Sequence, residues 1–217
     1  MNTNLIFSFL SRLQANNNKT WMDAHRKEYQ AARRQFLTFA DTVNDKLVAR
    51  FPGYFDTPGR HGIERINNNL MFHPHRPTYK DHFGMVFDKR TKGTDFYFML
   101  GLEKCMVGGG MWHPNAETLR SVREAIDYDG EKLQAIISSP AFKEKFPEMY
   151  AVNPLKTAPA GYTKDHEHIN LLRLKNFAVI REVSREEVNA PDFADKLTDY
   201  YAVLEPLLRY LRRAVTV

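Results

Sequence analysis

Two hydrophobic periods share this chain, and their order constrains the fold more than any other feature. Near the N-terminus, apolar residues recur every three or four positions: Leu5, Phe9 and Leu13, then Tyr29, Ala32, Phe36, Phe39, Val43 and Leu47. That spacing gathers them on one face of a helix. Phe193, Leu197, Tyr200, Leu204, Leu208 and Leu211 repeat the pattern near the C-terminus. In the middle, Phe83 to Phe87 and Phe96 to Leu102 run apolar or alternate at strand length, and Cys105 to Gly109 follows through Glu103-Lys104. Lys89, Lys92, Gly93 and Asp95 separate the first two runs as a hairpin turn would. Such short connections require antiparallel neighbours, because a parallel crossover needs about a dozen residues. The expected class is therefore α+β, a central antiparallel sheet of about four to six strands flanked by N-terminal and C-terminal helices.

Local signals set the boundaries. Asn16-Asn17-Asn18 interrupts the first helix, since asparagine competes for backbone hydrogen bonds. Thr20 and Asp23 suggest an approximate capping box for the next helix, and Pro52-Gly53 ends it. Ile63 to Asn67 is a short strand candidate. Asn115 caps a helix through Ile126, and Ser139-Pro140 opens another by the cap-then-proline rule. Pro154 to Gly161 reads as loop, Asp165 to Leu172 as a short helix and Asn176 to Val183 as a strand. Ser184 and Glu187 form a second capping box, and Pro206 is expected to kink the last helix. A length of 217 residues suits one domain, within the usual range of about 150–250. It comprises helices over 1–52, a sheet region over 60–113, a helical segment over 114–150, and a strand and helix over 160–217.

Composition narrows the function classes. Hydrophobic residues at 43% and charged residues at 26% exclude a disordered chain. The single cysteine, Cys105, precludes an intramolecular disulfide and suits a reducing compartment. No apolar run approaches the roughly 20 residues of a membrane-spanning helix, and Met1 to Leu10 lacks the pattern of a secretory leader. A soluble, cytoplasmic protein with no membrane partner is expected. The net charge of +5 is spread among acidic residues. Arg33-Arg34 and Arg209, Arg212 and Arg213 fall on helices as solvated faces, which demotes nucleic acid as a partner.

One segment holds neither period: Arg65-Ile66-Asn67-Asn68-Asn69-Leu70-Met71-Phe72-His73-Pro74-His75-Arg76-Pro77-Thr78-Tyr79-Lys80. Here the chain resembles an uncharacterised bacterial family, domain of unknown function 2461. That family is marked by an arginine, an arginine-aspartate pair, arginine-phenylalanine, a lysine and a closing tyrosine-lysine. Arg65, Phe72, Tyr79 and Lys80 match. Asn68, Asn69 and Met71 stand where relatives carry arginine, aspartate and arginine, and Arg76 stands near the family lysine. The resemblance also covers Asn16-Asn17-Asn18 with Trp21, Val107 to Pro114, Gly161 to His166, Leu171 to Phe177, and Arg181. It implies a fold and candidate positions, and no activity.

Several chemistries fit these residues. Arg65, Arg76 and Lys80, with Asn67 and Tyr79, could converge on an oxyanion. Gly108-Gly109-Gly110 could let a ligand approach the backbone at Gly109, or could simply form a turn or bulge. Trp112, directly after the glycines, could line a cleft and stack on a flat ligand. His73 and His75 are the best-spaced metal pair, with a third ligand to be found among His61, His82, His113 or His166, though no metal is expected. Asp165-His166 is the acid–base candidate, and equally a helix cap with its first turn. Cys105 reads as a buried, inert thiol. Two functions stay open: an enzyme-like protein binding a small anionic or phosphorylated molecule in a polar cleft, or a non-catalytic binding protein, with nucleic acid as one partner. The residues name no cofactor.

Overall fold

A computed structural model describes residues 1–90 and 93–215. Its elements run α1 (Thr3–Ala15), α2 (Lys19–Ala24), α3 (Arg26–Arg50), α4 (Gly59–Gly62), β1 (His82–Phe87), β2 (Asp95–Gly101), β3 (Cys105–Met111), α5 (Ala116–Ser138), α6 (Pro140–Lys145), α7 (Ile169–Leu172), β4 (Phe177–Val183), α8 (Arg185–Asn189) and α9 (Phe193–Ala214). The strands form one antiparallel, open sheet in the order β1-β2-β3-β4, so the class is α+β. Lys92, part of the expected hairpin turn, lies outside the described residues.

The chain divides into two compact units. The first comprises Met1–Asp88, Tyr97–Val107 and Glu182–Thr198. The second comprises the described residues of Lys89–Phe96, Gly108–Arg181 and Asp199–Val217.

In the first unit α3 buries Ala32, Phe36, Phe39, Val43 and Leu47 of the expected stripe, and Ala40 besides, while Tyr29 is half-buried. Phe36 stacks on Phe83 and Phe98 at ring distances of 5.5 and 6.0 Å, and Phe39 stacks on Phe193 at 5.8 Å. The helix expected to start after Thr20 differs in two ways. Asn18, rather than Thr20, is the cap, its side chain accepting from Trp21 N–H at 2.9 Å. The helix then breaks at His25, whose ring stacks on Trp21 at 4.0 Å while its Nδ1 contacts the Trp21 carbonyl. Beyond α3 the backbone folds back on that helix through Asn44, which is buried. Asn44 Oδ1 accepts from Tyr54 Oη and Thr57 N–H, both at 2.8 Å, and its amide donates to Asp56.

In the second unit α5 is longer than expected. Asn115 caps it as the sequence indicates, but helical structure continues past Ile126 to Ser138 across a kink at Asp129. Within it Gly130 faces the His168 ring, which a β-carbon there would meet at 2.2 Å. Ser139 and Pro140 open α6 as predicted. The short helix expected from Asp165 is confined to Ile169–Leu172, with turns before it. Helix α9 runs on through Pro206. Its stripe residues Leu204, Leu208 and Leu211 are fully buried, and Tyr201 packs edge-on to Phe96 at 5.5 Å.

Candidate functional site

The unpatterned segment forms a short antiparallel ribbon in the first unit. Lys80 N–H donates to Ile66 O at 2.7 Å and Asn68 N–H to Thr78 O at 3.0 Å. The strand expected over Ile63 to Asn67 is reduced to two isolated bridges, Ile63 to Met85 and Asn67 to Tyr79. Its backbone changes partner within four residues, so no continuous ladder can form.

Lys80 does not face solvent as a free cation. Its Nζ donates to Glu64 Oε2 at 2.8 Å, and Tyr97 Oη donates to the same oxygen at 3.2 Å. Gly84 leaves room for this group: a β-carbon there would stand 2.5 Å from Tyr97 Oη and 2.6 Å from Glu64 Oε2. Burial, reinforced by the Glu64 charge, pushes the Tyr97 hydroxyl well above its ordinary pKa. Tyr79 is buried, whereas Arg65, Asn67, His73, His75 and Arg76 are exposed. Among the described residues no three of His, Cys, Asp or Glu group together as metal ligands.

Gly109, Trp112, Asp165 and His166 belong to the second unit. The three glycines are not a turn: they form the latter half of β3. A β-carbon on Gly108 would meet Val179 O at 2.3 Å, and one on Gly110 would meet Phe177 O at 2.2 Å. Glycine is thus demanded by close backbone approach within the sheet. A β-carbon on Gly109 would stand 2.8 Å from Asp95 O and 3.2 Å from Leu204 Cδ1, which leaves no room there for a ligand.

After β3 the chain turns sharply into α5. His113 adopts a left-handed φ of 47°, and its N–H donates to Asn176 Oδ1 at 2.8 Å. Non-glycine residues adopt that region at a cost, so a buried partner such as Asn176 is what sustains it. The turn presents Trp112, which is 49% exposed. Tyr150 packs against the indole at 4.9 Å and 35°, and the His113 ring meets it edge-on at 4.8 Å. Trp112 and His113 border a cleft of about 470 Å³, lined also by Asn115, Glu117, Thr118 and Ser121. Among its described lining residues there is no lysine or arginine.

Asp165 and His166 do not form a working pair. Asp165 is exposed. His166 Nε2 instead contacts Asp127 Oδ1 at 2.9 Å, and its Nδ1 accepts from the His168 backbone N–H at 3.0 Å. With Nδ1 acting as acceptor, Nε2 carries the proton and donates to Asp127. Both ring nitrogens are engaged, so this imidazole holds the loop before α7 and has no free lone pair for a substrate. Cys105 is buried, and burial raises its thiol pKa, as an inert cysteine requires.

Sequence reasoning missed Glu64, Tyr97, Asp127, Tyr150 and Asn176. Asn176 lay inside a run that carries the family resemblance, and Glu64 adjoins Arg65. Asp127 and Tyr150 carry no local mark, since each meets its partner only through the tertiary fold. A model of the family described as conserved hypothetical protein (DUF2461) matches residues 5–210. No curated protein and no solved structure matches the chain.

Proposed function

The chain belongs to the DUF2461 family of conserved hypothetical proteins, and we propose that this member is a binding protein that holds a small planar molecule against Trp112. The half-exposed indole, which lines the cleft and packs against Tyr150, is the observation that carries this reading. A volume of about 470 Å³ falls within the range of roughly 300–1,000 Å³ typical of small-molecule sites. Thr118, Ser121 and Asn115 add polar groups that could orient such a ligand.

Charge favours a neutral or hydrogen-bond-donating ligand over a phosphorylated one. The N-terminus of α5 supplies a partial positive charge of about half a unit. Glu117 places a full negative charge in that same first turn, and Asn115 Oδ1 already accepts from Thr118 N–H at 2.8 Å. Binding is favoured over catalysis because His166, the acid–base candidate, has both nitrogens engaged.

Tryptophan fluorescence tests this. Planar heteroaromatics of the purine, pteridine and flavin classes should include one that quenches emission saturably, and Trp112→Ala should abolish the effect while Trp21 still emits. Glu117→Gln should weaken an amine-bearing ligand. Saturation by inorganic phosphate instead would restore the anionic reading. No saturable quenching across the set would remove the proposal.

A further inference from the structure

At the tip of the ribbon in the first unit, the nine residues 69–77 are all exposed. Three consecutive apolar side chains stand there: Leu70 at 38%, Met71 at 85% and Phe72 at 72% exposure. The stem beneath them is anchored, with Ile66 and Tyr79 each 5% exposed. No aspartate or glutamate occurs between Arg65 and Lys80, whereas Arg65, His73, His75 and Arg76 surround the tip in sequence and are exposed.

We propose that this tip docks on an anionic lipid surface, with Leu70, Met71 and Phe72 entering the interface and Arg65 and Arg76 meeting lipid phosphates. Charge complementarity selects the occupant. Exposed arginines flanking an apolar tip in sequence, with no carboxylate from Arg65 to Lys80, suit a surface that is negative outside and apolar within. Size and shape argue against a protein partner, because three side chains fall far short of the roughly 800 Å² per side of a stable interface. Nucleic acid fits less well, since Leu70 and Met71 can neither stack on bases nor read their edges. Docking of this kind needs no membrane-spanning helix, and among the described residues no helix is long and apolar enough to be one. With two arginines and one short apolar tip, binding should be weak and reversible.

The test is co-sedimentation of the full chain with phosphatidylcholine vesicles, with and without phosphatidylglycerol. Binding is expected only with the anionic lipid and should fall as salt rises. Met71→Ser with Phe72→Ser should weaken it about ten-fold or more, and Arg65→Gln with Arg76→Gln should remove the preference for anionic lipid. Neither pair should move the melting temperature, because these side chains are exposed. In parallel, emission from Phe72→Trp should shift blue on adding anionic vesicles and should not respond to a single-stranded oligonucleotide. Failure of the native chain to bind, binding that survives the double serine change, or a response to the oligonucleotide alone would each overturn the proposal.

Discussion

Asn17 grips both backbone groups of Tyr79. Its Nδ2–H donates to Tyr79 O at 2.9 Å, and its Oδ1 accepts from Tyr79 N–H at 2.8 Å. One carboxamide thereby replaces the partner that a neighbouring strand would otherwise supply, and ties the ribbon to the turn between α1 and α2.

Asn17→Ala should therefore destabilise the protein by about 1–3 kcal/mol, the range for leaving buried backbone groups unpaired. Asn17→Asp should not rescue it, because a carboxylate offers Tyr79 O no donor. Thermal unfolding and hydrogen exchange at the Tyr79 amide measure this. Unchanged exchange in Asn17→Ala would show that the clamp is dispensable.

Leu204 is fully buried and reaches the open side of Gly109. Leu204→Ala should cost ~2–5 kcal/mol, the usual range for a buried leucine truncation. Denaturant unfolding gives the number, and an unaltered midpoint would be incompatible with the packing of α9.

Gly84→Ala places a methyl group where Tyr97 Oη and Glu64 Oε2 now stand. It should destabilise the protein by about 1–3 kcal/mol, typical of overpacking. Tyr97→Phe should recover part of that loss when combined with it. A double-mutant cycle measures the recovery, and strict additivity would mean that the two sites do not meet.

Alkaline stability should follow the buried tyrosines. Tyr210 Oη donates to the Ala125 and Asp129 carbonyls beside the α5 kink. Burial, with the Asp129 charge, pushes its pKa up to about 12. An unfolded tyrosine ionises near 10, at about its reference value, so the folded chain holds this proton more tightly. Its contribution is fully present below about pH 10 and is lost as pH rises through the folded pKa. The urea midpoint should fall over that window, and Tyr210→Phe should flatten the fall while lowering the midpoint at neutral pH. Equal pH slopes in the two proteins would remove Tyr210 as a cause.

Asp127→Asn and Asp165→Asn separate the structural from the acid–base role of His166. Asp127→Asn should lower stability by at most about 1 kcal/mol, because Asp127 is more than half exposed. Asp165→Asn should change nothing in a melting curve. The reverse ranking would mean that Asp165 has the role that geometry assigns to Asp127.

Much of the architecture is legible in the sequence. The caps at Asn115, Ser139 and Ser184 were read from residues at most three positions from the amides that they bind. The strands β1 to β4 and the buried stripes of α3 and α9 were read from periods of two and of three to four. These signals are local, since each arises between residues a few positions apart, and the sequence alone determines them. The tertiary structure decided which distant residues meet. Nothing near His166 designates Asp127, 39 residues earlier, as its partner, nor does Lys80 announce that Glu64, itself held by Tyr97, will engage it. The role of Gly108-Gly109-Gly110 was likewise invisible, because glycine is required there by carbonyls of neighbouring strands. Such contacts depend on how the whole chain packs, so no short window of sequence contains the forces that select them.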